Sequence, residues 1–373
     1  MKHLQRWLSG FTVASIVCGS LMYRYRKRIT ARTARTHQGV SIIIPARNEA
    51  ENLPHLLASL RGAENTEVIV MDDGSTDTTR DIAEDYGAKV YAVSDDVEWQ
   101  GKSHACYEGS LKAQKALLMF VDADVWFEVE DSLERILAQY QQQGNQGLLS
   151  IQPYHHIEAP YENLSVIFNL MTVIGMNVFS VTREKNTPES AFGPVLLTNR
   201  ADYFRTQGHR NAEAQIIEGF ALSEAYHQAH LPVRLFEGEG TVNFRMYPQG
   251  LRSLIAGWSK HFAVGAQNTQ SSVMWLIMAW LFGSATSLAQ VIAALSKPKA
   301  RTQSQMLRAL SLYTLYGLQF YRLGRRTGSF KPWLILAHPV CFAFFIFIFS
   351  KSWFDVNIRK SVRWKGRNIV IKK

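Results

Sequence analysis

The sequence has few cysteines, no evident internal repeat and no stretch with the pattern of a cleaved signal peptide. It has three cysteines in 373 residues, and two of them, Cys18 and Cys341, lie in apolar stretches. Cys106 is then left alone, which excludes a disulfide framework. No internal repeat or low-complexity stretch stands out, so the sequence gives no support for a repeat architecture.

The first apolar segment does not have the pattern of a cleaved signal peptide, which has its positive charge before the apolar run and small residues after it. Residues 7–23 are apolar and are followed by the basic run 24–28, whereas only Lys2 and Arg6 are basic before them. We therefore predict an uncleaved membrane anchor whose flanking charges place the following domain in the cytosol.

The positive charge of the chain lies beside its hydrophobic segments. The net charge is +10, from 41 basic and 31 acidic residues, which would suit nucleic acid, anionic lipid or a phosphorylated substrate. The cations cluster at 24–28, between Arg322 and Lys331, and in the tail 351–373. Such clusters are typical of anchors at an anionic membrane face. We expect membrane lipid as a partner, and no nucleic acid.

Two more segments, 273–295 and 332–350, are apolar and long enough to cross a bilayer. Residues 306–323 between them could lie flat or cross, so the number of C-terminal spans stays open. We predict a multi-pass protein of the cell membrane with the domain after the anchor on the cytoplasmic side. The predicted parts are an anchor with its basic flank (1–30), this domain (40–265), a C-terminal membrane region (273–350) and a basic cytosolic tail (351–373).

Short apolar runs alternate with helical patterns from residue 40 onwards, and this alternation predicts an α/β fold with a parallel, doubly wound sheet. The predicted strands are 40–45, 67–71, 89–93 and 116–121. The predicted helices run from a cap at Asn48 to Leu60, from a cap at Thr76 or Asp77, and over 102–115.

Carboxylates follow two of these strands. Asp73 comes after the second strand, and Asp122-Ala123-Asp124 comes after the fourth. Ligands of parallel sheets bind where the carboxyl ends of the strands meet. Two aspartates at i and i+2 can both bind a hard divalent cation, which would neutralise the phosphates of a nucleotide. The alternative for the pair is a solvated turn after a strand.

Four motifs occur in a fixed order, namely Ile43–Glu49, Met71–Asp77, Gly101-Lys102 and Val121–Asp124. In this order they resemble glycosyltransferase family 2, and the resemblance extends from Val40 to about His261. It implies a GT-A fold, which is a Rossmann-like doubly wound catalytic domain, here with N- and C-terminal transmembrane helices.

Three further stretches, 101–107, 167–173 and 216–222, resemble those of membrane-bound family members that act on carotenoids. Such members transfer glucose from UDP-glucose to the terminal carboxyl of a C30 carotenoid acid, in the synthesis of staphyloxanthin-type pigments. The resemblance therefore implies a UDP-sugar donor and a lipophilic carotenoid acid acceptor. Other enzymes of carotenoid synthesis are expected as partners.

The resemblance also implies roles for single residues. Pro45, Arg47 and Glu49 would line the uridine, and Asp73 would accept a hydrogen bond from the base or the ribose. Turn capping is the alternative role for Asp73. Lys102 follows a glycine at a helix start, where a cation and exposed N–H groups suit a diphosphate.

A divalent metal, Mn2+ or Mg2+, is the implied cofactor. Asp122 would bind ribose and metal, and Asp124 would be the firmer metal ligand. The metal would act as a Lewis acid as UDP leaves. His261 is a candidate to complete the metal shell, with a purely structural role as its alternative.

Glu218 and Asp124 are the two candidate catalytic residues, and Glu218 occupies the position of the usual base. Inverting members of the family usually have an acidic pair at the start of a late helix, and here the pair is reduced to Glu218 followed by Gly219. A hydroxyl acceptor needs proton removal at the transition state, but a carboxylic acid with a pKa of about 4 is already ionised at neutral pH. Our hypothesis is that Glu218 orients the acceptor or serves as a weak base, and that Gly219 leaves room for a flat polyene end. The alternative for Glu218 is an acid that complements the helix dipole.

Residues 160–180 are apolar enough to suggest a membrane span. One crossing there would place Asp124 and Glu218 on opposite sides of the membrane, although both must reach one sugar. We therefore predict an interfacial helix at which a lipophilic acceptor enters, with a buried core helix as the alternative. Transfer to polyprenyl phosphate or diacylglycerol, and a non-catalytic membrane scaffold, also remain open.

Overall fold

The computed structural model describes residues 2–31, 38–95, 99–183, 190–213, 218–268, 271–296, 303–354, 361–364 and 367–370. Its strands are β1 Val40–Ala46, β2 Thr66–Asp72, β3 Lys89–Ala92, β4 Leu117–Val121, β5 Val125–Phe127, β6 Leu148–Gln152, β7 Tyr154–His155, β8 Val195–Asn199, β9 Val233–Glu237, β10 Val242–Phe244, β11 Ser361–Trp364 and β12 Arg367–Val370. Its helices are α1 Lys2–Met22, α2 Leu53–Ser59, α3 Thr79–Asp85, α4 Lys102–Lys112, α5 Ser132–Gln142, α6 Val166–Gly175, α7 Arg200–Arg205, α8 Glu218–Gln228, α9 Leu251–Asn268, α10 Ser271–Leu295, α11 Gln303–Gly324 and α12 Leu334–Phe354, with 3-10 helices at Pro160–Ser165 and Gly208–Ala212.

The chain forms two compact units. The sheet unit comprises residues 27–155 and 187–246, and the helical unit comprises residues 1–26, 156–186 and 247–373. The sheet unit is therefore discontinuous, whereas the predicted catalytic domain ran without a break from 40 to 265. The difference arises because the segment around α6 packs against α10, α11 and α12 of the helical unit.

A seven-stranded sheet in the order β3-β2-β1-β4-β8-β6-β9 forms the centre of the sheet unit. The neighbours β3, β2, β1 and β4 are parallel, as predicted. The prediction of a wholly parallel sheet is wrong for β8, which runs antiparallel to both β4 and β6. An apolar strand that is buried on both faces can pair in either direction, so its composition does not reveal its orientation.

The register of the parallel strands brings their carboxyl ends to one edge. Ala46 at the end of β1 pairs with Asp72 at the end of β2. All five residues of β4 are buried, which is typical of a central strand covered on both faces. The segments that follow β1, β2 and β4 therefore emerge together, and these segments contain the predicted site.

Two helix caps were predicted in these segments, and one of them is wrong. Asn48 does not cap a helix, because α2 begins only at Leu53 and Asn48 itself has a φ of 54°. Its side-chain oxygen instead accepts a hydrogen bond from the Thr76 N–H at 2.8 Å. Asp77 does act at the start of α3, where its carboxylate accepts the Thr79 N–H at 3.0 Å.

Two helices of the helical unit, α10 and α12, are long and apolar enough to cross a membrane. This finding rests on length and composition within the described residues. Helix α1, which covers the predicted anchor, falls short of that composition. Its polar residues Thr12 and Ser15 are buried and bond to Thr286 and to the Ala279 carbonyl of α10, while Trp7 is exposed. Pairing of polar side chains between helices is typical of helices that pack within a bilayer.

The segment predicted as an interfacial helix is mostly buried. It forms the 3-10 helix Pro160–Ser165 and then α6, which has ten residues and is too short to cross a bilayer. Phe168 of α6 stacks on Trp258 of α9 with ring centroids 4.8 Å apart, and the Trp258 Nε1–H donates to Ser165. The alternative of a buried core helix therefore fits α6, and Trp258 has a structural role.

Candidate active site

Hydrogen bonds hold the segments after β1 and β2 against each other at the edge of the sheet. The Asp73 N–H donates to the Ala46 carbonyl at 2.9 Å, and Arg47 Nη1 donates to the Asp73 carbonyl at 2.5 Å. The Arg47 guanidinium is also 3.6 Å from the Asp73 carboxylate, and both side chains are partly exposed. A charged side chain that is held by its neighbours is pre-organised to meet a polar ligand.

The Asn48 N–H of the first motif donates to Ser75 Oγ of the second motif at 3.0 Å, and further contacts hold the segment after β1 against the start of α3. The Glu49 N–H donates to Thr79 Oγ1 at 2.8 Å, and the Glu49 carboxylate accepts a hydrogen bond from Asn52 at 2.8 Å. Pro45 lies within β1 and pairs in register with Met71 of β2. Arg47, Glu49 and Asp73 therefore lie at one edge of the sheet.

Asp122 and Asp124 lie in the short turn that joins β4 to β5. The turn is held by its backbone, because the Asp122 N–H donates to the Pro194 carbonyl at 2.9 Å and the Val125 N–H donates to the Asp122 carbonyl at 3.1 Å. Both aspartates are partly exposed. Burial of the carboxylates raises the pKa of each, and the charge of Asp122 adds to this effect at Asp124. Two carboxylates that are costly to ionise together are suited to a cation.

Lys102, the first residue of α4, links this turn to a distant helix. Its Nζ lies 2.8 and 3.0 Å from the two oxygens of Asp122, 2.5 Å from Glu218 Oε1 and 3.2 Å from the Gly193 carbonyl. Burial opposes the charge of this ammonium, but the carboxylates of Asp122 and Glu218 outweigh it and raise the pKa of Lys102. Lys102 therefore remains a cation at any physiological pH.

Glu218 is the first residue of α8, and its side chain is 13 % exposed. Burial would raise its pKa, but the Lys102 ammonium more than compensates and holds the pKa of Glu218 at about 2. A carboxylate with so low a pKa is a weak proton acceptor. Its alternative role, an acid that complements the helix dipole, stays a prediction because residues 214–217 lie outside the described part of the chain. The ion pair with Lys102 is its principal contact.

Gly219 does not leave open space for an acceptor. A Cβ atom at Gly219 would lie 2.1 Å from the Ala191 carbonyl oxygen and 2.8 Å from Ser190 Oγ. The Ala191 N–H in turn donates to the Gly219 carbonyl at 3.0 Å. The glycine therefore permits close backbone contact between α8 and the segment before β8, and the hypothesis of room for a polyene end is wrong.

Gly193 is a site residue that the sequence analysis missed. A Cβ atom there would lie 2.8 Å from Glu218 Oε1 and 3.3 Å from Lys102 Nζ. Its only signal in the sequence is its place just before an apolar strand, which is common to many turn glycines. The tertiary structure alone brings it beside residues 91 positions before it and 25 positions after it in the chain.

Two predicted features fall partly or wholly outside the described residues. The backbone of His261 lies in α9, but its side chain is not described, so its place in a metal shell stays a prediction. The motif residues Ile216 and Ile217 before Glu218 are also outside the described part.

The carboxylate oxygens of Asp122 and Asp124 suit a hard cation that takes its other ligands from a substrate. Within the described part of the chain, no group of three or more His, Cys, Asp or Glu side chains is arranged to hold a metal ion. Mg2+ is typically bound by one or two carboxylates together with substrate phosphates and water. Asp122 and Asp124, two partly exposed aspartates just after a strand end, meet that requirement.

Comparison with known proteins gives one family and close relatives. The family model described as Glycosyl transferase family 2 matches residues 41–190. The chain is 46% identical, over 377 aligned positions and the full length of both chains, to the 4,4'-diaponeurosporenoate glycosyltransferases of Staphylococcus aureus strains USA300 and MRSA252.

Solved structures are similar at low identity. A mannosyltransferase from Pyrobaculum calidifontis, in complex with GDP-mannose and Mn2+, is 15% identical with a TM-score of 0.49, and the match covers 89% of this chain and 98% of that one. Glucosyl-3-phosphoglycerate synthase from Mycobacterium tuberculosis is 17% identical with a TM-score of 0.40, and that match covers 65% and 80% of the two chains.

Proposed function

The chain belongs to glycosyltransferase family 2 and is a glycosyltransferase with a GT-A fold, and on this premise we propose its donor and acceptor. The donor is UDP-glucose, and the acceptor is the carboxyl group of a C30 carotenoid acid, 4,4'-diaponeurosporenoate. The product is a glycosyl ester. The likeness to the Staphylococcus aureus relatives over the whole chain supports the acceptor.

The observation that favours an acidic acceptor is the ion pair between Glu218 and Lys102, at 2.5 Å. A hydroxyl acceptor needs a base of high proton affinity at the moment of attack, and a paired carboxylate is a poor one. A carotenoid carboxylate is already ionised at neutral pH and needs no base. Glu218 then acts as a positioning residue that holds Lys102, in place of the two roles that the sequence suggested, orienting the acceptor or serving as a weak base.

The other site residues have roles that follow from their places. We assign the uridine to the edge formed by Pro45, Arg47 and Glu49, with Asp73 accepting a hydrogen bond from the base or ribose. Lys102 and the start of α4 would face the diphosphate, since N–H groups at a helix N-terminus favour anions.

The proposed cofactor is a divalent cation, Mn2+ or Mg2+, with Asp122 and Asp124 as its ligands from the described residues. When bound, such a cation supplies Lewis-acid stabilisation of the negative charge on a departing diphosphate. Asp122 would bind the cation and is also paired with Lys102.

The proposed location is the cell membrane. Helices α10 and α12 are candidate spans, and we propose that α1 joins them through its polar pairing with α10. The basic residues 24–28 that follow α1 favour a catalytic unit on the cytoplasmic side. Labelling of a cysteine introduced at Lys2, the start of α1, in intact and opened cells tests this topology.

The direct test is incubation of membranes that contain the protein with labelled UDP-glucose and diaponeurosporenoic acid, followed by identification of the product by mass spectrometry. We expect a base-labile ester whose mass corresponds to one hexose on the carotenoid acid. UDP-galactose in a parallel reaction tests the sugar. A product only with UDP-galactose would refute the proposed donor.

Polyprenyl phosphate is the second candidate acceptor, because it is also ionised and fits the same ion pair between Lys102 and Glu218. Diacylglycerol has a hydroxyl and would need a base, so the pairing disfavours it. Offering the three acceptors together in one reaction ranks them. Preferred transfer to diacylglycerol would refute the role that we give to Glu218.

A further inference from the structure

Lys102 and a divalent cation require the same carboxylate. Both oxygens of Asp122 lie within hydrogen-bond distance of Lys102 Nζ, at 2.8 and 3.0 Å. We propose that Lys102 is an internal competitor of the cation, so that the cation binds tightly only together with a nucleoside diphosphate that engages the ammonium. This inference rests on the proposed function, since it takes Asp122 and Asp124 as the ligands of the cation.

The ammonium of Lys102 has an acceptor for each of its N–H groups. It has three N–H donors and three acceptor groups around it, namely the Asp122 carboxylate, Glu218 Oε1 at 2.5 Å and the Gly193 carbonyl at 3.2 Å. Since two of the three acceptors are carboxylates, the hydrogen bonds are charge-assisted and strong. Lys102 therefore does not leave Asp122 without a replacement acceptor.

Asp124, the other proposed ligand of the cation, lies two residues beyond Asp122. Among the described residues, no lysine or arginine nitrogen forms an ion pair with Asp124, whereas Asp122 is paired. A divalent cation that used both aspartates would share one carboxylate with an ammonium. The Lys102 ammonium and the divalent cation would repel each other. Even with the dielectric screening of water, this repulsion lowers the affinity of the site for the divalent cation about tenfold.

A bound diphosphate would end this competition for Asp122. Its oxygens can accept hydrogen bonds from Lys102 and from N–H groups at the start of α4. The same oxygens are ligands for a hard cation. The nucleotide would thus release Asp122 from the ammonium and would also supply further ligands to the cation. The cation and the nucleotide should therefore each raise the affinity of the protein for the other.

The experiment measures binding of Mn2+ alone to the purified full chain in detergent, from the loss of the signal of the free ion in electron paramagnetic resonance. The variants are Lys102→Met and Lys102→Arg, and the matched control is Lys112→Met. Lys112 is an exposed residue at the other end of α4, with its ammonium over the Tyr91 ring, so it gives the same change in net charge far from the aspartates.

A paired variant protects the test against misfolding. Lys102→Met leaves Glu218 buried without its partner, so the double variant Lys102→Met/Glu218→Gln removes both charges and keeps the net charge of the protein unchanged. Size-exclusion chromatography and circular dichroism establish which variants are folded. The double variant also separates competition at Asp122 from a general gain of negative charge.

We expect Lys102→Met and the double variant to bind Mn2+ about tenfold more tightly than the wild type without nucleotide. Lys102→Arg and Lys112→Met should bind as the wild type does, and adding Asp124→Ala to the double variant should abolish the gain. Equal or weaker Mn2+ binding by the folded double variant, while UDP still promotes Mn2+ binding to the wild type, would overturn the competition alone. Absence of Mn2+ binding in every variant, with UDP and without it, would refute the proposed cation as well.

Discussion

Gly193→Ala should reduce catalysis without unfolding the protein. The new methyl carbon would lie 2.8 Å from Glu218 Oε1, and ordinary contact needs about 3.5 Å, so the carboxylate must retreat by about 0.7 Å. The atom that moves is the end of a side chain, and Gly193 has a backbone conformation that alanine can adopt. We expect the free energy of unfolding to change by less than about 1 kcal/mol.

The catalytic effect should be much larger. Retreat of Glu218 lengthens its 2.5 Å contact with Lys102 and lets the ammonium shift relative to Asp122. A misplacement of 1 Å in a catalytic arrangement can cost about a hundredfold in rate, so a shift of this size should cost about tenfold. The assay is UDP release, together with ester formation, in membranes that contain equal amounts of protein.

A double-mutant cycle decides whether the loss acts through Glu218. In a Glu218→Ala background the methyl group added at position 193 meets no carboxylate, so Gly193→Ala should there change the rate by less than about twofold. Gly10→Ala is the control, since a Cβ at Gly10 has no atom within 4 Å, and it should leave activity unchanged. Full activity of Gly193→Ala, or an equal loss in both backgrounds, would refute the reasoning.

Three further outcomes are expected. Gly219→Ala forces a methyl group to 2.1 Å from the Ala191 carbonyl, and because a backbone atom cannot easily move we expect a loss of about 2 kcal/mol, seen as a lower Tm. Asp124→Ala should reduce UDP release at least about a hundredfold and make the remainder insensitive to a metal chelator, while the protein stays in the membrane fraction. Glu67 is buried beside Lys89. Burial alone would raise the pKa of Glu67, but the ion pair with Lys89 and the hydrogen bonds to the carboxylate lower it. Its stabilising effect is therefore full above about pH 4.5 and is lost as the pH falls through the lowered pKa, so Glu67→Gln should be less stable by about 1 kcal/mol at pH 7 and nearly equal to the wild type in acid.

Each of these three outcomes has a result that would contradict it. An unchanged Tm for Gly219→Ala would mean that the segment before β8 can yield, and Gly10→Ala again controls for the added methyl group. Undiminished UDP release by Asp124→Ala would exclude it as a cation ligand. A stability difference for Glu67→Gln that stays constant from pH 7 to acid, in urea unfolding, would show that the Glu67 charge is not responsible.

Much of the sheet unit could be predicted because its signals are local. Apolar runs such as 40–45 and 116–121 correspond to β1 and β4 within a residue or two, and strand ends on one edge bring Asp73 and Asp122 to the same side. The orientation of β8 could not be predicted, since pairing direction depends on how the chain returns to the sheet. The cap assigned to Asn48 failed because its side chain bonds to Thr76 in another motif.

The sequence by itself determined which residue types supply the chemistry, through four short motifs whose order and spacing identify the family. Only the tertiary structure decided how they act on one another. Lys102 meets Asp122 and Glu218 across 20 and 116 positions of sequence, and Gly219 contacts Ala191 through a backbone approach that no pattern of side chains encodes. The physical reason is that charge pairing and close packing depend on distances in space, which folding sets independently of separation along the chain.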